Sequence, residues 1–502
     1  MGKRGGLAVT RASRLIIGLA LLSLAVRLGF AFWTDWGGDE WEFFWRAQRF
    51  YTTGNLPLTG ADSVSGEPVP GPLGAVLAGA PLHLSGGRPI GSALFVALLN
   101  FAAACAIAAL YCRVFPGLPP LVIWAWVLFA PWTIVYTGVW HPSLLPPFAA
   151  AFAWGLWLTM RRPGKPAGWA VAGAALALAL QIHVSAAALA VLAVVLLVLR
   201  VLPRPRPGWM AAGFLAGLAP LGPYFAARAH AGAPPWGYLT ASVAFHPARL
   251  LDLPGVWWRY LSFATGETSR FYHPGALGLL GPRTAAGQPF LGAAHAFALA
   301  VSAALIVMAA ATWVQGARWR RLARPGRLSP GERFDAAALL APLVAVALFP
   351  FSVAAPAAHR IWILMPFAFH PVLGLLGGLP RPLRWARRRP AAWLAAYLLA
   401  ANAAALAGYA VSPTTSPLWR AVPAAPPDVS RFDGRGPEAG AAALAAARGP
   451  GGGGMLTAVT SQNPREPWVY IIKVCHRGPD GAPLFWRAYF WDGRTGKVAA
   501  AP

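Results

Sequence analysis

Long, nearly uncharged apolar runs recur along this chain of 502 residues, and they constrain its fold more than any other feature. Hydrophobic residues make up 57% of the sequence and charged residues only 12%, too little charge to cover a soluble protein of this size. A helix needs about 20 apolar residues to cross about 30 Å of hydrocarbon. Because lipid offers the backbone no hydrogen-bond partners, each run must be helical. The pattern predicts an all-α polytopic membrane protein.

We predict eleven transmembrane spans, approximately at 15–33, 90–112, 119–136, 143–160, 167–182, 184–200, 208–227, 291–315, 335–355, 360–378 and 391–411. The first span follows a basic flank and could instead be a signal peptide. No cleavage-site pattern follows it, so a retained span is favoured. Segment 71–86 is also apolar, but it contains two prolines and four glycines. We predict that it forms an interfacial helix on the outer face.

Lysine and arginine residues decide the orientation of the spans, because cytoplasmic loops are enriched in them. With the N-terminus inside, the cytoplasmic segments hold twenty-two of them, against nine in the opposite segments before residue 412. We therefore predict a multi-pass protein of a bacterial inner (plasma) membrane with a cytoplasmic N-terminus. The same clustering between spans argues against nucleic-acid binding, although the net charge is +26.

The chain divides into a transmembrane module at 1–411, with long outer loops at 34–89 and 228–290, a Pro/Ala/Ser linker at 412–427, and a terminal segment at 428–502. This last segment predicts a small extracytoplasmic α+β domain with a helix at 438–448 and three strands at 455–461, 467–475 and 484–491. Near-alternate aromatic residues follow the strands, namely Trp468, Tyr470, Trp486, Tyr489 and Trp491. Such a row can stack on sugar rings, but it is more typical of a sheet core.

Acidic residues are concentrated in the first outer loop, which holds six of the 16 Asp and Glu residues of the chain. Asp39 and Glu40 follow the first span directly and lie among tryptophans and phenylalanines. A carboxylate beside aromatic rings at the lipid–water boundary is partly desolvated, which raises its pKa toward that of a useful general base. The alternative is that these charges cap the span and the tryptophans form an interfacial belt.

Several segments in order resemble one family. They are DWGGDEWEFFWRAQRFYTTGNLP and VPGPLGAVLAGAPLHLSG in the first outer loop, then APWTIVYTGVWHPSLLPPF, QIHVSAAAL and AAHRIWILMPFAF. Together they resemble membrane glycosyltransferases of the GT-C superfamily, and more closely the protein O-mannosyltransferase and aminoarabinose-transferase group, over residues 10–410. The chain has Val69-Pro70-Gly71-Pro72 where that group often has His-Pro-Pro, and Arg360-Ile361 where it often has Arg-Tyr.

The resemblance implies transfer of a sugar from a polyprenyl-phosphate-linked donor to a hydroxyl or amine of a glycan, lipid or protein acceptor outside the cytoplasm. It also implies that a carboxylate of the first outer loop acts as general base, with inversion at the anomeric carbon. We expect Asp39 to be this base and Glu40 to be the second choice or a charge partner. Adjacent helical residues point about 100° apart, so the two are not expected to share one role.

Five further residues are candidates for substrate binding: Arg360, His359, His141, His183 and Arg270. The leaving phosphate needs a cation, and Arg360 flanks the ninth and tenth spans on the outer side, with Arg270 as the alternative. Each arginine could instead contact lipid headgroups. The three histidines fall at outer span ends and could line one cavity, act as hydrogen-bonded interface residues, or bind zinc. Their spacing matches no ligand pattern, so we predict no metal and no cofactor.

Other function classes remain open. A transporter or flippase would carry ionisable residues inside the bundle, but Arg27 is the only charged side chain far from the edge of a predicted span. A polysaccharide ligase or polymerase of the cell envelope would use similar chemistry with another acceptor. A scaffold that binds a partner through its outer domain is the third class.

The topology can be tested with reporter fusions at residues 60 and 430. The loop charges predict that both report the outer side, because each follows an odd number of spans from a cytoplasmic N-terminus. Alkaline phosphatase activity without green fluorescence is the expected result at both positions. A cytoplasmic result at residue 60 would remove the catalytic proposal for the first loop.

Overall fold

The computed structural model describes residues 11–32, 38–54, 56–62, 68–135, 139, 141–203, 207–230, 237–265, 289–314, 319, 328–352, 358–378, 397, 436–448, 455–462, 469–477, 483–492 and 494–500. The helices before the terminal segment are α1 Arg11–Ala31, α2 Gly38–Thr53, α3 Leu73–Leu84, α4 Pro89–Val114, α5 Pro120–Phe129, α6 Pro131–Val135, α7 Leu145–Arg161, α8 Ala167–Leu180, α9 Ala187–Val198, α10 Pro207–Leu218, α11 Gly222–His230, α12 Gly237–Ala241, α13 Leu253–Thr265, α14 Pro289–Val314, α15 Pro330–Leu348, α16 Ala358–Ile361 and α17 Met365–Gly378. Short 3-10 turns occur at His141–Leu144, Val184–Ala186, Ala219–Leu221, Pro247–Asp252, Phe349–Phe351 and Trp362–Leu364.

The predicted helical membrane class is confirmed in its coarse form. Five stretches in the described part of the chain are helical, long and apolar enough to cross a membrane: Ala12–Ala31, Pro89–Val114, His141–Arg161, Pro207–His230 and Pro330–Phe351. Further apolar helices are shorter, including α8 and α9. The number of spans stays a prediction, and the eleventh, 391–411, lies outside the described residues except for Tyr397.

Prolines divide two of the predicted spans. The run 119–136 is broken at Ala130, because Pro131 has no N–H to continue the helix. The run 208–227 contains a 3-10 turn around Pro220 between α10 and α11. Each break leaves backbone carbonyl groups without their helical partners, and in a membrane these groups need a donor from elsewhere in the protein.

Arg27 supplies that donor at the first break. Its side chain is completely buried, and Nη2 donates to the Leu128 carbonyl at 3.0 Å and to the Thr133 hydroxyl at 2.8 Å. Nη1 donates to the Thr133 carbonyl, and Nε donates to the Ser23 hydroxyl at 3.3 Å. The charged side chain inside the first span therefore joins α1 to the ends of α5 and α6.

A second ionisable group, Asp335, contacts a buried histidine of the bundle. The helix α15 begins at Pro330, five residues before the predicted start, because Ser329 and Glu332 form a capping box there. Asp335 therefore lies inside the helix, where its Oδ1 is 3.3 Å from Nδ1 of the buried His370. Asp335 lies at the edge of the predicted span 335–355, so this pair adds a second ionisable contact to that of Arg27.

Two surface elements precede α4. The strands β1 Thr59–Asp62 and β2 Pro68–Pro70 pair in antiparallel fashion, with Thr59 opposite Pro70. The helix expected at 71–86 is present as α3, which packs along α2. A Cβ on Gly79 would lie 3.0 Å from the Ala47 carbonyl, so these two helices approach closely.

The terminal residues form a helix, α18 Gly436–Arg448, and four antiparallel strands in the order β3 Met455–Gln462, β4 Val469–Arg477, β5 Pro483–Asp492 and β6 Val498–Ala500. The fourth strand was not expected. Ala443 of α18 packs on a sheet face that buries Ile472, Val474, Tyr489 and Trp491. These two aromatic residues therefore belong to a core, whereas the side chains of Trp468, Tyr470 and Trp486 lie outside the described residues.

Replacing Arg27 by methionine should destabilise the bundle without altering its surface. We expect Arg27→Met to lower the free energy of unfolding by about 2–4 kcal/mol, because each buried carbonyl that loses its donor costs about 1–3 kcal/mol. The measurement is thermal unfolding of the purified protein in detergent. Arg14→Met is the control, since Arg14 lies exposed on the same helix. Equal stability of the two variants would contradict the role of Arg27.

Candidate active site

A narrow, partly open cleft lies where the predicted first outer loop meets the ends of several helices. Its walls are formed by Phe43 and Arg46 of α2, Gly60 and Val69 of the β1–β2 hairpin, Gly74 and Ala75 of α3, His141, and Gln181 and Ile182 after α8. All of these residues belong to segments that the charge distribution predicts to be on the outer side. The cleft thus combines an apolar lining with the guanidinium group of Arg46, the imidazole of His141 and the amide of Gln181.

His141 and His183 stack on each other at the cleft. Their ring centroids are 5.4 Å apart, and the ring planes differ by 18°. Nδ1 of His183 accepts a hydrogen bond from the backbone N–H of Ser185 at 3.1 Å, so a neutral His183 ring carries its proton on Nε2. The structure therefore brings together two of the three histidines that the sequence singled out.

The helix α2 carries the acidic pair at its start and lines the cleft one turn later. Phe43 is 3% exposed and Arg46 is half-buried, and both face the cleft. Asp39 and Glu40 belong to the first turn of α2, and their side chains lie outside the described part of the structure. Arg46 was not singled out from the sequence, where it resembles any basic residue beside a span.

Gly71 forms a tight turn at the position where this chain has Val69-Pro70-Gly71-Pro72. Its backbone has a φ of +94°, and its N–H donates to the Leu58 carbonyl at 2.9 Å. A Cβ at this position would lie 2.2 Å from Cδ2 of Leu221 and 3.3 Å from Oε1 of Gln181. Only glycine fits both this conformation and this spacing, so the Pro-rich turn closes tightly against the end of α8.

Gln181 is the polar residue of the cleft that the sequence interpretation missed. It is 2% exposed, and its Nε2 donates to the Ala177 carbonyl at 3.2 Å and to the Gly217 carbonyl at 2.6 Å. The second bond joins the end of α8 to α10. The sequence does contain a signal for this residue, because Gln181 ends an otherwise apolar run. A polar side chain that is buried at such a position needs hydrogen-bond partners.

Among the described residues, Arg360 is not part of the cleft wall. Arg360 is half-buried in α16, and the side chain of His359 lies outside the described residues, as does the whole of Arg270. Within the described ranges, no group of three or more His, Cys, Asp or Glu residues is placed to hold a metal ion. Binding roles for these three residues stay predictions.

No protein-family model and no curated protein sequence matches this chain. The crystal structure of ArnT from Cupriavidus metallidurans bound to undecaprenyl phosphate is similar, with a TM-score of 0.50 and 13% sequence identity over 74% of this chain and 61% of that chain. This chain has the fold of ArnT. The structure of ArnT in the apo state matches with a TM-score of 0.47 and 15% identity over 75% and 62% of the two chains.

ArnT is an aminoarabinose transferase of the GT-C superfamily, so the resemblance is confirmed at the level of the fold. The present chain spans about three fifths of the length of ArnT, since 61% of that chain is covered. Within this ArnT fold, the cleft is built from the same first loop in which the sequence concentrates its acidic residues.

The tight turn at Gly71 can be tested by adding a single methyl group. We expect Gly71→Ala to lower the free energy of unfolding by about 2–4 kcal/mol, since the backbone conformation costs about 1–2 kcal/mol and overpacking about 1–3 kcal/mol. Gly54→Ala is the matched control, because Gly54 also has a positive φ, of +68°, but open space around it. Gly54→Ala should lose only the part of the unfolding free energy that the left-handed backbone conformation costs. Equal losses in the two variants would show that Leu221 and Gln181 do not confine Gly71.

Proposed function

We propose that this protein is an integral membrane glycosyltransferase that moves a sugar from a polyprenyl-phosphate-linked donor to a hydroxyl or amine on the outer face of the membrane. The observation that carries the proposal is the cleft, in which Arg46, His141 and Gln181 line one space beside α2 within an ArnT fold. ArnT itself has been crystallised bound to undecaprenyl phosphate. A lipid-linked donor also suits the location, because the carrier holds the activated sugar at the membrane.

Helical periodicity supports Asp39 as the general base. Positions 39, 43 and 46 are spaced i, i+4 and i+7, so they share one face of α2. Phe43 and Arg46 on that face line the cleft. Position 40 is rotated by about 100° from position 39, so Glu40 is the second choice.

The proposed reaction is a single inverting displacement. Asp39 removes the proton from the acceptor hydroxyl or amine while that atom attacks the anomeric carbon from the face opposite the phosphate. A new glycosidic bond forms, and the bond between the anomeric carbon and the phosphate oxygen breaks. The polyprenyl phosphate leaves with the electron pair, and Arg46, with Arg360 as a further candidate, balances its negative charge. His141 and the neutral His183 provide hydrogen bonds to hydroxyl groups of the substrate.

The proposed enzyme works in the inner membrane, with its acceptor (a glycan, lipid or protein) on the outer side. The terminal unit of α18 and β3–β6 then lies outside the cytoplasm. Arg27 gives no support to a transporter, because its guanidinium group binds backbone carbonyls at a helix break. One observation favours movement of an ion or lipid as a second function, namely the Asp335–His370 pair inside the bundle.

Replacement of Asp39 by asparagine tests the enzyme against this second function. We expect Asp39→Asn to reduce sugar transfer about 10²- to 10⁴-fold, the usual contribution of a positioned general base. The measurement is mass spectrometry of envelope glycans, glycolipids and glycoproteins from cells with and without each variant.

Two further carboxylate replacements serve as controls. Glu40→Gln should retain more transfer than Asp39→Asn. Asp335→Asn should retain transfer as well, because Asp335 contacts His370 and does not line the cleft. Near-normal transfer by Asp39→Asn, together with a loss in Asp335→Asn, would contradict the proposal and favour transport.

A further inference from the structure

The helix α13 packs inside the bundle, although the sequence assigns its residues to the outer loop 228–290. The Tyr260 side chain is completely buried, and its hydroxyl donates to the Ala338 carbonyl at 3.4 Å. Ala338 precedes Phe351 by thirteen residues, so it lies about 20 Å along the apolar stretch Pro330–Phe351 from the end that is predicted to be outside. The chain that leads into α13 therefore passes along the side of this stretch, at a depth where a bilayer surrounds it.

The segment 243–251 makes this passage, and its backbone is bonded to the outer end of the same apolar stretch. The Ala244 N–H donates to the Phe351 carbonyl at 2.9 Å, and the His246 N–H donates to the Pro350 carbonyl at 2.8 Å. The chain then forms a 3-10 turn and enters α13. Backbone groups that are paired within the protein can lie in hydrocarbon without the loss of a hydrogen bond.

The exposed side chains of this 3-10 turn are apolar, and its charged side chains are not exposed. Arg249 and Asp252 are half-buried, whereas Leu251 is 86% exposed. In a turn that faces water the charged side chains lie outermost, because they gain most from hydration. Here the order is reversed. The large exposed apolar side chains of the segment and of the adjoining helix end are Val243, Phe245, Leu250, Leu251 and Phe351.

This apolar surface continues the exposed stripe of α15. Leu343, Ala347 and Phe351 follow one another at intervals of four residues, the spacing of one helical face, and all three are exposed. The ring centroids of Phe351 and Phe245 are 5.3 Å apart. An exposed apolar face of a membrane-spanning helix contacts lipid, because the hydrocarbon holds no water. One surface therefore runs from the lipid-facing side of α15 onto the segment 243–251.

We propose that the segment 243–251 is immersed in the acyl chains of one leaflet and forms part of the lipid-facing surface of the protein. The leaflet is the one at the Phe351 end of α15, which the loop charges predict to be the outer one. The partner of this surface is lipid, in contrast to the water that surrounds an ordinary outer loop. The inference concerns how the chain lies in the bilayer, so it holds whether or not the protein transfers sugars.

Collisions of a spin label with oxygen and with a nickel complex measure this immersion, because oxygen concentrates in hydrocarbon and the nickel complex in water. The full-length protein is first made free of cysteine by Cys105→Ala, Cys112→Ala and Cys475→Ala. A nitroxide is then attached to Phe245→Cys or to Leu251→Cys, and the protein is reconstituted in vesicles of phosphatidylethanolamine and phosphatidylglycerol. The nickel complex is present on both sides of the vesicle membrane.

Two exposed positions outside the segment provide matched controls. Leu215→Cys lies on α10 in the apolar stretch Pro207–His230, and Lys497→Cys lies between β5 and β6 of the terminal unit. We expect the ratio of oxygen to nickel collisions at residues 245 and 251 to be several-fold above that at residue 497. The ratio should also be closer to the lipid control at residue 215 than to the water control.

Two results would overturn the inference. A ratio at residues 245 and 251 that equals the ratio at residue 497 would show that the segment lies in water. Exclusion of both reagents from these positions would show that protein covers the segment, as in a contact with a second copy of the chain.

The wild-type chain provides the same test if the cysteine-free protein does not fold. A phospholipid with a diazirine on its acyl chain is photolysed in the same vesicles, and trypsin then releases peptide 250–259 by cleavage after Arg249 and Arg259. Lipid adducts are expected on this peptide, because it carries the exposed Leu251. Adducts on peptide 201–228, which contains α10, together with none on peptide 250–259, would contradict the immersion of the segment.

Discussion

The satisfaction of backbone hydrogen bonds inside a membrane is the constraint on which this structure depends. Lipid supplies no donors or acceptors, so every break in a helix must find a partner within the protein. Arg27 does this for the carbonyls around Pro131, and the Trp126 indole N–H does it for the Ala264 carbonyl at 2.7 Å. Tyr111 donates to the Pro366 carbonyl at 2.6 Å in the same way. Polar side chains in the bundle are therefore mainly used to close the ends and interruptions of helices.

The same constraint locates the cleft. Irregular backbone at membrane depth is tolerated where it lines a cavity or is buried in protein. The 3-10 turn at His141–Leu144, the end of α8 at Gln181 and the tight turn at Gly71 all meet there. Because helices stop at these points, side chains that would otherwise lie against lipid face a shared space. The polar groups of the site are thus a consequence of where the helices end.

The substrate that we propose is part lipid, part phosphate and part sugar, and the lining of the cleft supports that proposal. The surface helix α2 brings Arg46 and an apolar ring, Phe43, to one side. The stacked pair of His141 and His183 and the oriented amide of Gln181 form the other. The Asp335–His370 pair does not line this cleft. Under the proposed function, a lipid-borne donor would reach the cleft from the plane of the membrane.

The sequence by itself determined the helical membrane class and the acidic character of the first loop, because hydrophobic length and charge clustering are local properties of the chain. It also indicated the helix after Pro72 and the histidines at helix ends. It could not assign partners to Arg27, whose contacts at Leu128 and Thr133 lie about a hundred residues away. Nor could the sequence show that Gly71 lies beside Gln181, or that Asp335 contacts His370. Those contacts depend on how separate helices pack, and the packing distances are fixed only when the whole bundle is assembled. The cleft and the orientation of the Gln181 amide at its wall were therefore decided by tertiary structure alone.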